Sequence, residues 1–376
     1  MTGMEKKGNR SFVYGTLADK EGRPLALSVY PGNTGDPATI PDQVQKLTAR
    51  FGLDRLVLVG DRGMLTQTQI DTVKESPGIG WISALRSSAI RGLVEQGHIQ
   101  MSLFDTRDLA EITSAEYPGE RLIACFNPLL AEERKRKRNE LLDATEKALA
   151  GIARAVARRT RTPLGKVEIG KKAGAVINRF KMAKHFALTI EDGVFAFTRN
   201  ETSIVREAAL DGIYVIRTSE PAERLSSEDA VRSYKSLSQV ERVFRTFKGI
   251  ELLVRPIWHR TEGHVKAHLF LCMLAYYVEW HMRKALAPLL FDDETLTEAR
   301  KTRHPVKPAE TSFSAKQKKI RKVTPDGLPV HSFATLLVAL GTRCRNRCRI
   351  GASGTVISRL TDPTPLQTKA LQLLEL

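Results

Sequence analysis

The sequence predicts an α/β chain in which a helix-flanked sheet is interrupted by a separate α+β unit. Residues 12–30 carry two apolar runs around a turn, and Leu56-Val-Leu-Val59 is a short apolar run followed by a helical spacing and a further strand. From about residue 86 to residue 225 that alternation stops, and a long basic helix and a new hairpin replace it. A chain of 376 residues can build two or three cores. The expected division is a first part of the sheet domain at 1–85, an insertion at 86–225, a second part at 226–295, a basic linker at 296–330 and a short helical carboxyl-terminal segment at 331–376.

The opening hairpin pairs residues 12–18 with 24–30 across Asp19-Lys-Glu-Gly22. Beyond the Pro31-Gly-Asn-Thr-Gly-Asp36-Pro loop, residues 38–51 have helical spacing at Ile40, Val44 and Leu47. Residues 56–59 read as a buried central strand that delivers Asp61, within Gly60-Asp-Arg-Gly63, to its carboxyl end. A helix at 66–75 and a strand at 79–85 follow.

In the insertion, residues 132–159 form a basic helix with an apolar edge of Leu142, Leu149, Ile152 and Val156. Strands at 186–190 and 194–198 flank Asp192-Gly193, and 213–218 is another strand. Ser227 is placed to cap the helical region after it. Residues 261–290 read as one long helix, 300–322 as a solvated linker dense in Lys, Arg, Pro and Ser, and 332–340 and 366–376 as short amphipathic helices.

Fifty-nine basic against 42 acidic residues give a net charge of +17, which points to a polyanionic partner, nucleic acid first. The sequence offers no lipid motif or amphipathic anchor for a membrane, and its longest apolar run, 269–278, is too short to span one. Residues 1–10 lack the apolar core of a secretion signal, and four cysteines make no disulfide framework, so a reduced cytoplasmic setting is expected. Cys344 and Cys348 have no second ligand pair to make a zinc site.

The stretch Tyr234-Lys-Ser-Leu-Ser-Gln-Val-Glu241-Arg-Val-Phe-Arg-Thr-Phe-Lys248 concentrates the chemistry. At helical spacing Tyr234, Glu241 and Lys248 share one side, beside an apolar stripe of Leu237, Val240, Val243, Phe244 and Phe247. That places Glu241 at the seam of core and solvent, where a carboxylate reaches a metal ion or a phosphate. Each residue also has a plainer reading: Asp61 as a turn former, Glu241 as a solvated carboxylate paired with Arg245. Gly60 and Gly63 favour the functional reading of Asp61 by clearing room for an approaching backbone. His264 and His268 lie one turn apart, and Trp258 and His259 follow the motif; packing is the expected role of both pairs.

Together Val57-Leu-Val-Gly-Asp61-Arg-Gly-Met64, Asp211-Gly-Ile-Tyr-Val-Ile-Arg-Thr218 and Tyr234-x2-Leu237-x3-Glu241-x6-Lys248 resemble the DDE transposases of bacterial insertion sequences, of the insertion-sequence-four superfamily. That group carries a Tyr-x2-Arg-x3-Glu-x6-Lys signature, and the resemblance runs from about residue 12 to 280. It implies an RNase H-like mixed sheet whose first and fourth strands supply two aspartates, with a later helix supplying a glutamate. Asp61 matches the second aspartate and Glu241 the glutamate, so both become catalytic and metal-holding, with Mg2+ or Mn2+ as the ion. Tyr234 and Lys248 match positions that contact the DNA end, and Arg242 and Arg245 could add phosphate contacts. The implied reaction hydrolyses 3′ ends and joins them to target DNA, and holding two DNA ends implies a homodimer.

Two departures qualify the resemblance. Leu237 stands where the signature has Arg, and the family's first aspartate falls on a strand before the hairpin, where this chain offers none. Asp19 and Asp36 lie in loops and do not substitute for it. The chain is therefore expected to be amino-terminally truncated and impaired. The alternative is a non-catalytic remnant that binds DNA or a full-length copy as an inhibitor.

Overall fold

The structure, a computed structural model, describes residues 11–248, 254, 256–350 and 355–376. The architecture is mixed α/β, with a five-stranded sheet and helices. The chain forms two compact units, Met1–Ile79 with Arg232–Leu376, and Gly80–Val231.

In the first unit β1 (Phe12–Ala18) and β2 (Pro24–Pro31) pair antiparallel as a sheet of their own. Asp19 is spent on their turn: its Oδ1 accepts from the Glu21 and Arg23 amides, both at 2.9 Å. Residues 38–51, expected as one helix, use three hydrogen-bond patterns: a 3-10 turn at Asp36–Thr39, α1 (Ile40–Gln45) and a π turn at Lys46–Arg50. β3 (Leu56–Val59) is not the central strand expected; it lies at a sheet end, with Val57 40% exposed. α2 (Gln67–Lys74) follows and buries Ile70 and Val73.

The second unit begins in β4 (Ile79–Ala84), an almost wholly buried strand, then α3 (Ser87–Glu95), β5 (Leu109–Ile112) and β6 (Arg121–Phe126). α4 (Pro128–Ala157) starts on a sequence-encoded cap: the Asn127 side chain accepts from the Leu129 and Leu130 amides, and Pro128 needs no donor there. α5 (Lys166–Phe180), β7 (Phe186–Glu191), β8 (Val194–Arg199), α6 (Glu201–Ala208) and β9 (Ile213–Thr218) complete it. β9 pairs antiparallel with β4 on one side and β6 on the other. The predicted apolar edge of α4 does pack, with Leu142, Leu149 and Val156 in a core shared with α5, β7 and β8. Arg217 of β9, between the rings of Trp81 and Tyr117, makes two hydrogen bonds to Glu120, at 2.8 and 2.7 Å.

α7 (Ser227–Lys235) and α8 (Leu237–Lys248) replace the single helix expected across Tyr234 and Lys248. Ser226, not Ser227, caps α7, accepting from the Asp229 amide at 3.1 Å; Ser227 instead donates to Glu111. Ser236 breaks the helix, its hydroxyl donating to the Ser233 carbonyl at 2.6 Å. α9 (Glu262–Ala285) then packs with α8 and the hairpin around Tyr14, Val243, Phe247, Leu269, Met273 and Tyr276.

Residues 300–322 are not a solvated linker, since they contain the end of α10 (Leu296–Thr302) and α11 (Phe313–Arg321). Lys318 is 2% exposed and donates to the Ala287 and Asp292 carbonyls and to Glu294. α12 (Phe333–Gly341) and α13 (Pro365–Leu373) share a core with Leu286, Leu289 and Leu290. Between them lies a hairpin absent from the sequence expectations, β10 (Arg345–Ile350) with β11 (Thr355–Leu360).

Candidate active site

Asp61 follows β3 by two residues, and its side chain folds the turn it sits in. Oδ1 accepts from the Gly63 and Met64 amides, both at 2.8 Å, while its carbonyl accepts from Leu65 at 2.9 Å. The turn-former reading is therefore correct, and it leaves Oδ2 without a hydrogen bond among the described residues on an exposed side chain. The flanking glycines serve the chain itself. A Cβ on Gly60 would lie 2.7 Å from Leu65 Cγ, a residue only 3% exposed, and one on Gly63 would lie 3.2 Å from Asp61 Oδ1.

The apolar stripe of α8 fixes the opposite side of the site. Val243 and Phe247 are fully buried, Phe247 meeting Tyr276 edge-on at 5.6 Å and Tyr14 at 6.2 Å. Burial of that face turns Glu241, Arg242 and Arg245 outward. Glu241 is thus exposed rather than at a half-buried seam, and among the described residues it makes no ion pair with Arg245 or any other cation. Lys248 ends α8, but its side chain lies outside the described residues.

Tyr234 links the two carboxylates. It is half-buried near the end of α7, and its phenol is held above the ordinary value of 10.0, by burial first, then by the Asp61 carboxylate; Arg62 opposes this and Glu241 adds to it. One acid far away in sequence and one two helical turns on thus both act on this phenol. Asp61, Glu241 and Arg62 are the charged groups whose fields this half-buried phenol feels, and both carboxylates are exposed.

Hard carboxylate oxygens of this kind suit a divalent cation. Asp61 Oδ2 and the Glu241 carboxylate are the donors on offer, and among the described residues no group of three His, Cys, Asp or Glu is arranged for a metal. The histidine pair shows the same limit. His259 lies 5.7 and 5.4 Å, ring to ring, from His264 and His268, and His268 Nε2 is 3.3 Å from the Val254 carbonyl. Cys344 and Cys348 are exposed free thiols four residues apart in extended chain, roughly 13 Å, too far to share an ion. Trp258, expected to pack, is 84% exposed.

Among the described residues no helix is long and apolar enough to cross a membrane. A family described as Transposase DDE domain matches residues 6–278. No curated protein and no solved structure matches the chain.

Proposed function

The chain belongs to the transposase DDE domain family, whose chemistry is metal-dependent phosphoryl transfer on DNA in transposition, and from that premise we propose that Asp61 and Glu241 are its metal-holding catalytic carboxylates. What supports the reading is that the two carboxylates, from the two separate sequence segments of the first unit, both raise the Tyr234 phenol. When bound there, Mg2+ or Mn2+ would lower the barrier by stabilising charge on the attacking and leaving oxygens of a DNA phosphate. The residues' own tasks are distinct. Asp61 keeps Oδ2 free by fixing Oδ1 in its turn. Tyr234 keeps its proton at neutral pH and so donates to a phosphate oxygen rather than repelling it. Arg242, Arg245 and Lys248 supply positive charge on the DNA side of α8.

The order of the motifs supports the insertion-sequence-four superfamily, with Leu237 in place of the signature arginine. β1 and β2 form their own sheet while β3 ends another, and among the described residues no strand fills the place beside β3 where the resemblance sets the strand of the first aspartate. Two carboxylates hold ions less well than three, so a site built on Asp61 and Glu241 alone would be impaired in cleavage. The second reading is a DNA-binding remnant that inhibits a full-length copy; in either reading the chain pairs as a homodimer when it holds DNA ends.

The test incubates the chain with Mg2+ or Mn2+ and DNA carrying the element's ends. Any cleavage is expected to fall at least about a hundredfold in Asp61→Asn and in Glu241→Gln, the scale on which positioned catalytic groups act. Cleavage that survives both substitutions removes the reading. For the remnant, excess chain is expected to depress transposition by an active copy; an unchanged frequency eliminates that alternative.

A further inference from the structure

The hairpin β10–β11 lies outside the matched family domain, which ends at residue 278, and the functional reading above makes no use of it. Its register pairs Arg345 with Leu360, Arg347 with Ser358 and Arg349 with Val356. Directly opposed residues share a face and alternate residues along a strand do too, so Arg345, Arg347 and Arg349 form one row on one face of the ribbon. Arg359, opposite Asn346, lies on the other face. From residue 343 to 361 the sequence holds five arginines and no Asp or Glu.

The side chains of residues 345–349 and 356–360 are exposed on both faces. Among the described residues Arg345, Arg347, Arg349 and Arg359 form no ion pair. Val356, Ile357 and Leu360 are 46%, 45% and 46% exposed, interleaved with this charge. A two-stranded ribbon is marginal by itself in water. Here its base is clamped: the Thr361 amide donates to the Cys344 carbonyl at 3.0 Å, and the Cys344 amide to Thr361 Oγ1 at 3.1 Å. Gln367 of α13 donates to the Ala339 carbonyl and to Thr342 Oγ1, at 2.8 and 2.9 Å, which ties both flanking helices together below it.

We propose that β10–β11 is a second DNA contact, a basic ribbon that holds duplex DNA by its phosphates through Arg345, Arg347 and Arg349. The three arginines span roughly 13 Å of strand, the length of about four phosphate steps of one DNA strand at roughly 3.4 Å of axis each. The row of positive charge with no internal counter-charge is complementary to that polyanion, and a two-stranded ribbon has the width a major groove admits. The contact is independent of sequence and of cleavage: it holds DNA whether or not Asp61 and Glu241 perform chemistry.

The full chain, binding a labelled random-sequence duplex over a range of salt concentrations, tests it. The triple variant Arg345→Gln/Arg347→Gln/Arg349→Gln is expected to lower the slope of log affinity against log salt by about 2.7, from about 0.9 per phosphate contact. The charge-keeping variant Arg345→Lys/Arg347→Lys/Arg349→Lys is expected to retain the wild-type slope, which separates loss of charge from loss of fold. An unchanged slope in the glutamine variant overturns the proposal, as does equal loss in both variants. Tighter ribbon-dependent binding to single-stranded RNA or to phosphatidylglycerol vesicles than to the duplex overturns the assignment to DNA. The binding is measured without divalent metal, so failure of the catalytic reading leaves this result standing and the reverse also holds.

Discussion

Asp61 divides its carboxylate between two tasks. Oδ1 closes the turn after β3 by accepting two amides, and that fixes the direction of Oδ2 without a rotamer search. Tyr234 reports on the result because its phenol feels Asp61 and Glu241 together. Like charge favours the protonated phenol, so removing it must bring the titration down toward the ordinary value of 10.0. Asp61→Asn is expected to lower the Tyr234 pKa, and Glu241→Gln to lower it by less, in the order their influences rank. Ring carbon shifts of labelled tyrosine between pH 9 and 12 read this directly; a Tyr234 titration unmoved by either change would show that the carboxylates do not meet there. The sequence made both acids conspicuous, through Gly60-Asp61-Arg-Gly63 and the spacing from Tyr234 to Lys248. It misassigned the glycines, because the clash of a Gly60 Cβ with Leu65 depends on how the turn folds back, which no spacing rule contains. Trp258 was misread for a related reason, since apolar character argues for burial only when a neighbouring element covers the residue.

At the scale of elements, α8 is held by what its inner face buries. Phe247 and Val243 seat it on the hairpin and α9, and the hairpin turn meets its first turn closely: a Cβ on Gly22, at φ +81°, would lie 2.8 Å from Gln239 Cβ. Phe247→Ala is expected to cost about 3–5 kcal/mol of stability and Gly22→Ala at least about 1 kcal/mol from its backbone alone, both measurable by urea unfolding. Phe247→Ala should also reduce whatever Glu241 does without touching it; wild-type stability in both variants would mean α8 is not packed on the hairpin. The strands and helices with apolar periodicity were legible, β1 to β4 and α4 within a few residues. The α7–α8 break was not, because Ser236 keeps the helical spacing while its hydroxyl competes for a backbone carbonyl. β10 was also missed: its period-two signal is carried by arginines, and a search for alternating apolar residues passes over it.

Across the whole molecule, a net charge of +17 predicts a polyanionic partner without saying where it binds. Two exposed basic places are proposed for it: the α8 face bearing Arg242 and Arg245, and the ribbon bearing Arg345, Arg347 and Arg349. The family match covers the first and leaves the second outside. Asp61, Glu241 and Tyr234 are proposed to surround one metal-binding point. Its most direct test is paramagnetic: Mn2+ titrated into the full chain is expected to broaden the Tyr234 ring resonances selectively, with the broadening lost in Asp61→Asn and in Glu241→Gln. Tyr234 resonances that Mn2+ leaves sharp, or broadening that persists in both variants, would contradict the account.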